Sequence, residues 1–205
     1  MFYKFFFIAF LSFFCTACQN KNNTENLLAE AKNLLVKGDF KTAIALLEQA
    51  TAQDETNADA WNMLGVAYYE TKNLEKAVAF FNKAIKNNNQ NYKYFYNRAN
   101  AQREQKLLLE SLEDYNLALT LEKSNADIYF NKAVVLADLN RKKEAISVFK
   151  ECLQIDPNFA KAHYGLASAQ ISLEQKVAPE SCEHLKKALA LGYNLAEEAI
   201  NLYCK

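Results

Sequence analysis

The chain is short of the residues that interrupt helices. Its 205 residues include four glycines and two prolines, which leaves little room for strands, hairpin turns or flexible linkers. An excess of charge of either sign is also missing. The 24 basic residues balance 24 acidic ones and are interspersed with them, so there is no basic stripe for nucleic acid and no acidic block for a disordered tail. No Ser-His-Asp order, glycine-rich phosphate loop or pair of carboxylates on a pocket rim stands out, so an enzyme is not expected and no cofactor is implied. Asparagine and lysine are abundant, which reads as genome composition rather than chemistry. What remains is apolar: 51% of residues are hydrophobic, enough for a continuous core in one domain or one short repeat array.

Residues 58–91 show how that apolar content is arranged. Trp61, Leu64, Gly65, Tyr68 and Tyr69 recur at three- and four-residue steps, and so do Ala77, Val78, Phe80, Phe81, Ala84 and Ile85. Each set is one apolar face of a helix. The spacing predicts helices over about 58–70 and 74–87, joined by the polar break Thr71-Lys72-Asn73 and therefore antiparallel. A step of 34 residues carries this unit along the chain. Gly65 becomes Ala99, Ala133 and Ala167 forward and Ala31 backward; Ala77 becomes Ser111, Ala145 and Ala43; Phe81 becomes Tyr115, Phe149 and Leu47; Ala84 becomes Ala118, Cys152 and Ala50. Small falls on small and large on large.

The pattern Trp61, Leu64, Gly65, Tyr68, Ala77, Phe81, Ala84 resembles the tetratricopeptide repeat, with Asn89 where proline is usual and Pro157 filling that slot two repeats on. The resemblance covers residues 24–193 as five repeats (24–57, 58–91, 92–125, 126–159 and 160–193). It implies an all-α, right-handed superhelical solenoid of about eleven helices, closed by a C-terminal capping helix over 194–205, because the last repeat has no neighbour to cover its apolar side. Leu64, Tyr68, Phe81, Tyr115, Phe149 and Leu166 are expected to be buried. The fifth repeat departs after Glu174, where Pro179 reads as the first position of a helix that stops at Gly192, and Asn194 with Glu197 reads as a capping box.

Residues 1–17 stand outside the repeat. Lys4 and the apolar run Phe5 to Phe14 read as a secretory signal, too short to span a bilayer. Thr16-Ala17-Cys18 resembles the bacterial lipoprotein cleavage box, although Cys15 stands where leucine is usual. That resemblance implies lipidation of Cys18, a tether over 18–23 and, with Gln19 rather than aspartate next, an outer-membrane lipoprotein on the periplasmic face. Ordinary cleavage after Ala17, giving a soluble periplasmic or secreted form, and an uncleaved anchor are the alternatives.

In the repeat family, set positions of the first helix face a concave groove that holds a partner polypeptide. Carried over, they are Asn62 and Tyr69, then Lys93, Tyr96, Asn97, Asn100 and Arg103, then Phe130 and Asn131, then Lys161 and Tyr164. Tyr96, Phe130 and Tyr164 read as an aromatic ladder flanked by the amides of Asn97 and Asn131, suited to an extended peptide; packing between helices is the alternative. Asn100, Asn131 and Lys161 match three places of a clamp for peptide C-terminal carboxylates, but Tyr96 and Gly165 stand where two of its cations belong.

The expected function is a non-catalytic, lipid-anchored interaction scaffold of the cell envelope, with a protein or peptide partner, a membrane reached through the anchor, no nucleic acid and no small-molecule substrate. The alternatives are an accessory or regulatory subunit of an envelope enzyme or outer-membrane assembly machine and, remotely, a thiol or metal enzyme at Cys182, His184 and Cys204, whose spacing matches no usual zinc pattern. Cys152 reads as a buried, inert thiol. In an oxidising compartment Cys182 and Cys204 are expected to pair. Each lies about ten residues from the Gly192–Asn194 turn, in antiparallel directions, so they fall at the same end of a helical hairpin; two unpaired thiols side by side are the alternative.

Overall fold

The computed structural model describes residues 23–174 and 177–204. The signal segment 1–17, Cys18 and the tether as far as residue 22 lie outside the described residues. Every described element is helical: α1 (23–37), α2 (Phe40–Gln53), α3 (Ala58–Glu70), α4 (Leu74–Asn87), α5 (Tyr92–Glu104), α6 (Leu108–Leu121), α7 (Ala126–Asp138), α8 (Lys142–Ile155), α9 (Ala160–Glu174), α10 (Pro179–Ala190) and α11 (Leu195–Tyr203). They fall into two compact units, divided between residues 89 and 90. The first holds α1–α4 and the second α5–α11. Within each unit, helices pair with their sequence neighbours: α2 on α3 and α3 on α4 in the first, α5 on α6 and so on through α10 on α11 in the second.

The turn inside each pair follows one rule. Gly38, Lys72, Lys106 and Asn140, each 34 residues from the last, all adopt positive φ between 60° and 79°. Each turn closes with the same two backbone bonds, for example Lys72 N–H to the Tyr69 carbonyl and Asn73 N–H to the Tyr68 carbonyl, both 2.9 Å. This is the left-handed helix stop that satisfies the last orphan carbonyls. Gly192 (φ 88°) repeats it after α10.

Helix starts account for part of the asparagine. Asn57, Asn91 and Asn125, again 34 residues apart, stand at the N-caps of α3, α5 and α7, and Asn73 stands at that of α4. Their side-chain oxygens accept backbone N–H groups at 2.9–3.3 Å. The abundance first read as genome composition is thus in part capping chemistry. Asn194 does not cap: it already has helical backbone angles and makes no side-chain cap bond. The chain runs straight from the Gly192–Tyr193 turn into α11, so Asn194 never adopts the extended backbone that capping needs.

The core is the expected periodic set. Leu47, Leu64, Phe81, Tyr115, Phe149 and Leu166 are at most 2% exposed, as are the small positions Ala31, Ala99, Ala133 and Ala167. Tyr68 departs from the expectation and is half-buried. Its ring stacks on Phe80 at 5.3 Å, the Lys76 ammonium lies 4.8 Å from it, and its hydroxyl donates to Glu48 at 3.1 Å. A phenol with an outward oxygen gains more at the edge of the core than inside it. Gly65 is needed for close approach, because a Cβ there would lie 2.6 Å from the Phe81 ring. Between α5 and α6 the Arg98 guanidinium grips the Asp114 carboxylate with two bonds of 2.6 Å, Asp114 being 4% exposed. Removing either partner would strand a buried charge.

Candidate functional site

In the second unit α5 touches α7 and α7 touches α9, which puts the first helices of three repeats side by side. The face they form carries most of the residues predicted for the groove. Tyr96, Asn97, Asn100, Arg103, Phe130, Asn131 and Tyr164 are half-buried, while Lys93 and Lys161 are exposed. Asn62 and Tyr69 are half-buried on α3 in the first unit, where the Lys72 ammonium lies 5.3 Å from the Tyr69 ring.

A polar network crosses the α5–α7 part of the face. The Asn131 amide nitrogen donates to the Tyr96 hydroxyl at 3.1 Å and to its own helix's Asp127 carbonyl at 3.0 Å. The second bond fixes the orientation of the amide, since the reverse would set two oxygens against each other. Asn131 therefore presents its oxygen outward, an acceptor for an incoming N–H. The Tyr115 hydroxyl donates to the Asn100 amide oxygen, so both asparagines of the partial carboxylate clamp are tied to their own chain. Burial raises the pKa of Tyr96 against the opposing pull of its hydrogen bond to Asn100, which keeps the phenol protonated.

Tyr96, Phe130 and Tyr164 do not stack on one another. Tyr96 leans on Tyr115 (6.1 Å between ring centroids), Phe130 on Phe149 and Phe159 (6.0 and 5.2 Å), and Tyr164 on Tyr193 (5.0 Å). Each ring is held in place by another, so the ladder is a row of separately braced aromatics. Between α7 and α9 the row opens into a cleft of about 480 Å³ with Phe130, Val134, Phe149, Tyr164 and Tyr193 on its walls. Asp138 and Lys161 also line it, as does Lys142, whose ammonium donates to the Ser172 carbonyl at 3.0 Å. Gly165 keeps this packing tight, because a Cβ there would meet the Phe149 ring at 2.5 Å. Tyr193, Phe159 and Lys142 were missed in the groove prediction. Tyr193 lies in the irregular turn after Gly192, where periodicity gives no address. Phe159 and Lys142 stand one repeat step after Asn125 and Leu108, outside the first-helix set, so the preceding repeat shows neither an aromatic nor a cation at these places.

The C-terminal cysteine and histidine residues separate. Cys182 and Cys204 are bonded to each other, with S–S 2.07 Å and Cα–Cα 5.7 Å. His184 turns instead to His163. Cys152 is fully buried, its thiol donates to the Ala126 carbonyl at 3.3 Å, and burial pushes its pKa up to about 12. That is an inert thiol. Among the described residues no group of three or more His, Cys, Asp or Glu is placed to hold a metal ion.

Comparison with known proteins matches the repeat and the fold. Two family models described as tetratricopeptide repeat match residues 28–92 and 126–159. Among curated proteins, the DnaJ homolog subfamily C member 7 homolog of Dictyostelium discoideum is 23% identical over 84% of this chain and 35% of its own length. The mouse protein O-mannosyl-transferase TMTC3 is 30% identical over 83% of this chain and 20% of its own. The chain thus spans about a fifth to a third of these relatives. Among solved structures, YrrB, a TPR protein with an unusual peptide-binding site, superposes with a TM-score of 0.74 at 21% identity, covering 92% of this chain and 97% of YrrB. The Pseudomonas aeruginosa pilF product superposes with a TM-score of 0.76 at 18% identity, covering 85% and 78%. These likenesses are of fold.

Proposed function

Because the chain is a tetratricopeptide-repeat protein, we propose that it is a non-catalytic interaction scaffold that takes an extended segment of a partner polypeptide on the α5–α7–α9 face of its second unit. One apolar side chain of that segment enters the cleft between Phe130 and Tyr164, and its backbone N–H groups meet the outward oxygen of Asn131. The observation that carries this reading is the cleft itself: braced aromatic walls offer area at little entropy cost, and the polar groups on its approach are few and fixed. The peptide-binding site of YrrB, a neighbour in fold, supports a peptide as the ligand class.

The reading includes a tether. Thr16-Ala17-Cys18 at the end of the apolar run supports lipidation at Cys18 and a place in the cell envelope, at the periplasmic face of the outer membrane. No described helix is long and apolar enough to cross a membrane. A Cys18→Ala variant that stays membrane-bound and normally processed would exclude it.

The groove is tested by a photo-crosslinking residue at Phe130, with Ser147 on α8 as the exposed control, in cells making the full chain. The expected outcome is a discrete adduct from Phe130 that is absent from Ser147. Adducts of equal yield from both sites would show that the face has no special partner.

A further inference from the structure

The chain has two histidines, and they meet. His163 on α9 and His184 on α10 place their Nδ1 atoms 2.8 Å apart. At that distance the two nitrogens share one hydrogen. Its direction is settled by the other contact of His163, whose Nε2 lies 3.0 Å from the Pro157 carbonyl. A carbonyl only accepts, so Nε2 carries the hydrogen, Nδ1 of the neutral ring is bare, and Nδ1–H of His184 is the donor. The His184 Nε2 is then bare and faces Glu180 at 3.7 Å. The charged groups that act on His184 are Glu180, on the same helix, and Lys150 of α8, 3.8 Å from Glu180. From the α8–α9 turn the Pro157 carbonyl meets His163.

This arrangement has room for one added proton, on His184 Nε2 against Glu180. A second has only His163 Nδ1, where it would set N–H against N–H and place two cations together with His163 8% exposed. Burial, and next the His163 ring, hold the His184 pKa below the ordinary histidine value. Tyr164 follows His163 directly on α9, and Tyr193 follows α10; these two rings form one wall of the cleft.

We propose that His163 and His184 form an acid-released clasp between α9 and α10, which holds the Tyr164–Tyr193 wall in place near neutral pH and frees it on acidification, so that the cleft gives up its peptide. The peptide part rests on the function proposed above; the clasp does not.

Hydrogen exchange of the full chain, corrected for intrinsic rates, tests the clasp at about pH 7.5 and about pH 5, the span over which histidine titrates. Amides of α9 and α10 should lose about ten-fold in protection on acidification while those of α3 and α4 hold, and His184→Gln should remove the difference. An equal loss in both units, or the same acid loss in H184Q, would overturn the clasp. Should H184Q disturb α10 at neutral pH, the imidazole nitrogen shifts of the unaltered chain decide: Nε2–H on His163 with Nδ1–H on His184 supports the clasp, and the opposite pair of tautomers refutes it. Crosslinking from Phe130 should fall at the acid pH. An undiminished yield from an opened clasp would refute the gating, whereas no adduct at either pH would count against the proposed function and leave the clasp standing on the exchange data.

Discussion

In the α3–α4 pair the helices meet through apolar surface. Gly65 lets the Phe81 ring in, Trp61 and Tyr68 stack on Phe80, and the Lys83 ammonium covers Trp61 at 4.0 Å. In the α9–α10 pair the same two-helix unit is fastened by other means: Ser181 to Gln170 at 3.1 Å, His163 to His184 at 2.8 Å, and Cys182 to Cys204 on the helix that follows. The first pair depends on shape and hydrophobic burial, which are nearly indifferent to pH and redox state. The second depends on groups that titrate or can be reduced. The α9–α10 repeat is followed by the nine-residue α11, and the disulfide ties that helix back to α10.

The sharpest way to probe this contrast is to truncate the ring that each unit is built on. Phe81→Ala and Phe149→Ala should each cost about 3–5 kcal/mol, read as a shift of the urea midpoint, because both rings are almost fully buried. Next in size is the covalent link. Cys182→Ser with Cys204→Ser opens a bridge spanning 22 residues and should cost roughly 2–4 kcal/mol by the chain-entropy model. The loss should appear in exchange from α10 and α11 and leave α3 and α4 untouched. Gly65→Ala should cost about 1–3 kcal/mol through overpacking on Phe81, less the gain in helix propensity; a gain in melting temperature would mean the Phe81 ring can yield.

Acid should distinguish the pairs more gently. The His184 pKa is lowered in the fold by burial and by His163, so the unfolded chain takes up the proton first as pH falls. Stability is therefore full above the ordinary histidine pKa and declines as pH drops below it, and His184→Gln should flatten that slope in denaturant titrations. The smallest effect belongs to the turns. Lys106 holds a positive φ of 65° where Gly38 holds 79° at the matching place, so Lys106→Gly should raise stability by about 0.5–1 kcal/mol.

The residues that were legible in the sequence are those whose neighbours lie at fixed offsets. Ala31, Gly65, Ala99, Ala133 and Ala167 could be read as buried because one packing environment recurs every repeat. The left-handed turns share that offset, but only Gly38 and, more weakly, Asn140 advertise the conformation; Lys72 and Lys106 adopt it without a residue type that announces it. Contacts fixed by side-chain direction were not legible. Arg98 with Asp114 and His163 with His184 join residues on facing helices, and which polar atoms meet there depends on rotamers that periodicity does not encode. Tyr193 was hidden for a different reason: it sits past the last regular turn, where the repeat no longer predicts position. The separate bracing of Tyr96, Phe130 and Tyr164 was not legible, because Tyr115, Phe159 and Tyr193 come from outside the first-helix positions that define the ladder.

The account stands or falls on the cleft of the second unit, and one titration tests it most directly. The partner segment captured from Phe130 would be synthesised and titrated calorimetrically against the full chain, against Tyr164→Ala and against Ser147→Ala. Loss of the Tyr164 ring should weaken binding about ten-fold, near 1.4 kcal/mol, while Ser147→Ala leaves it unchanged. Equal affinity for all three proteins would contradict the assignment of the cleft as the place where the partner is held.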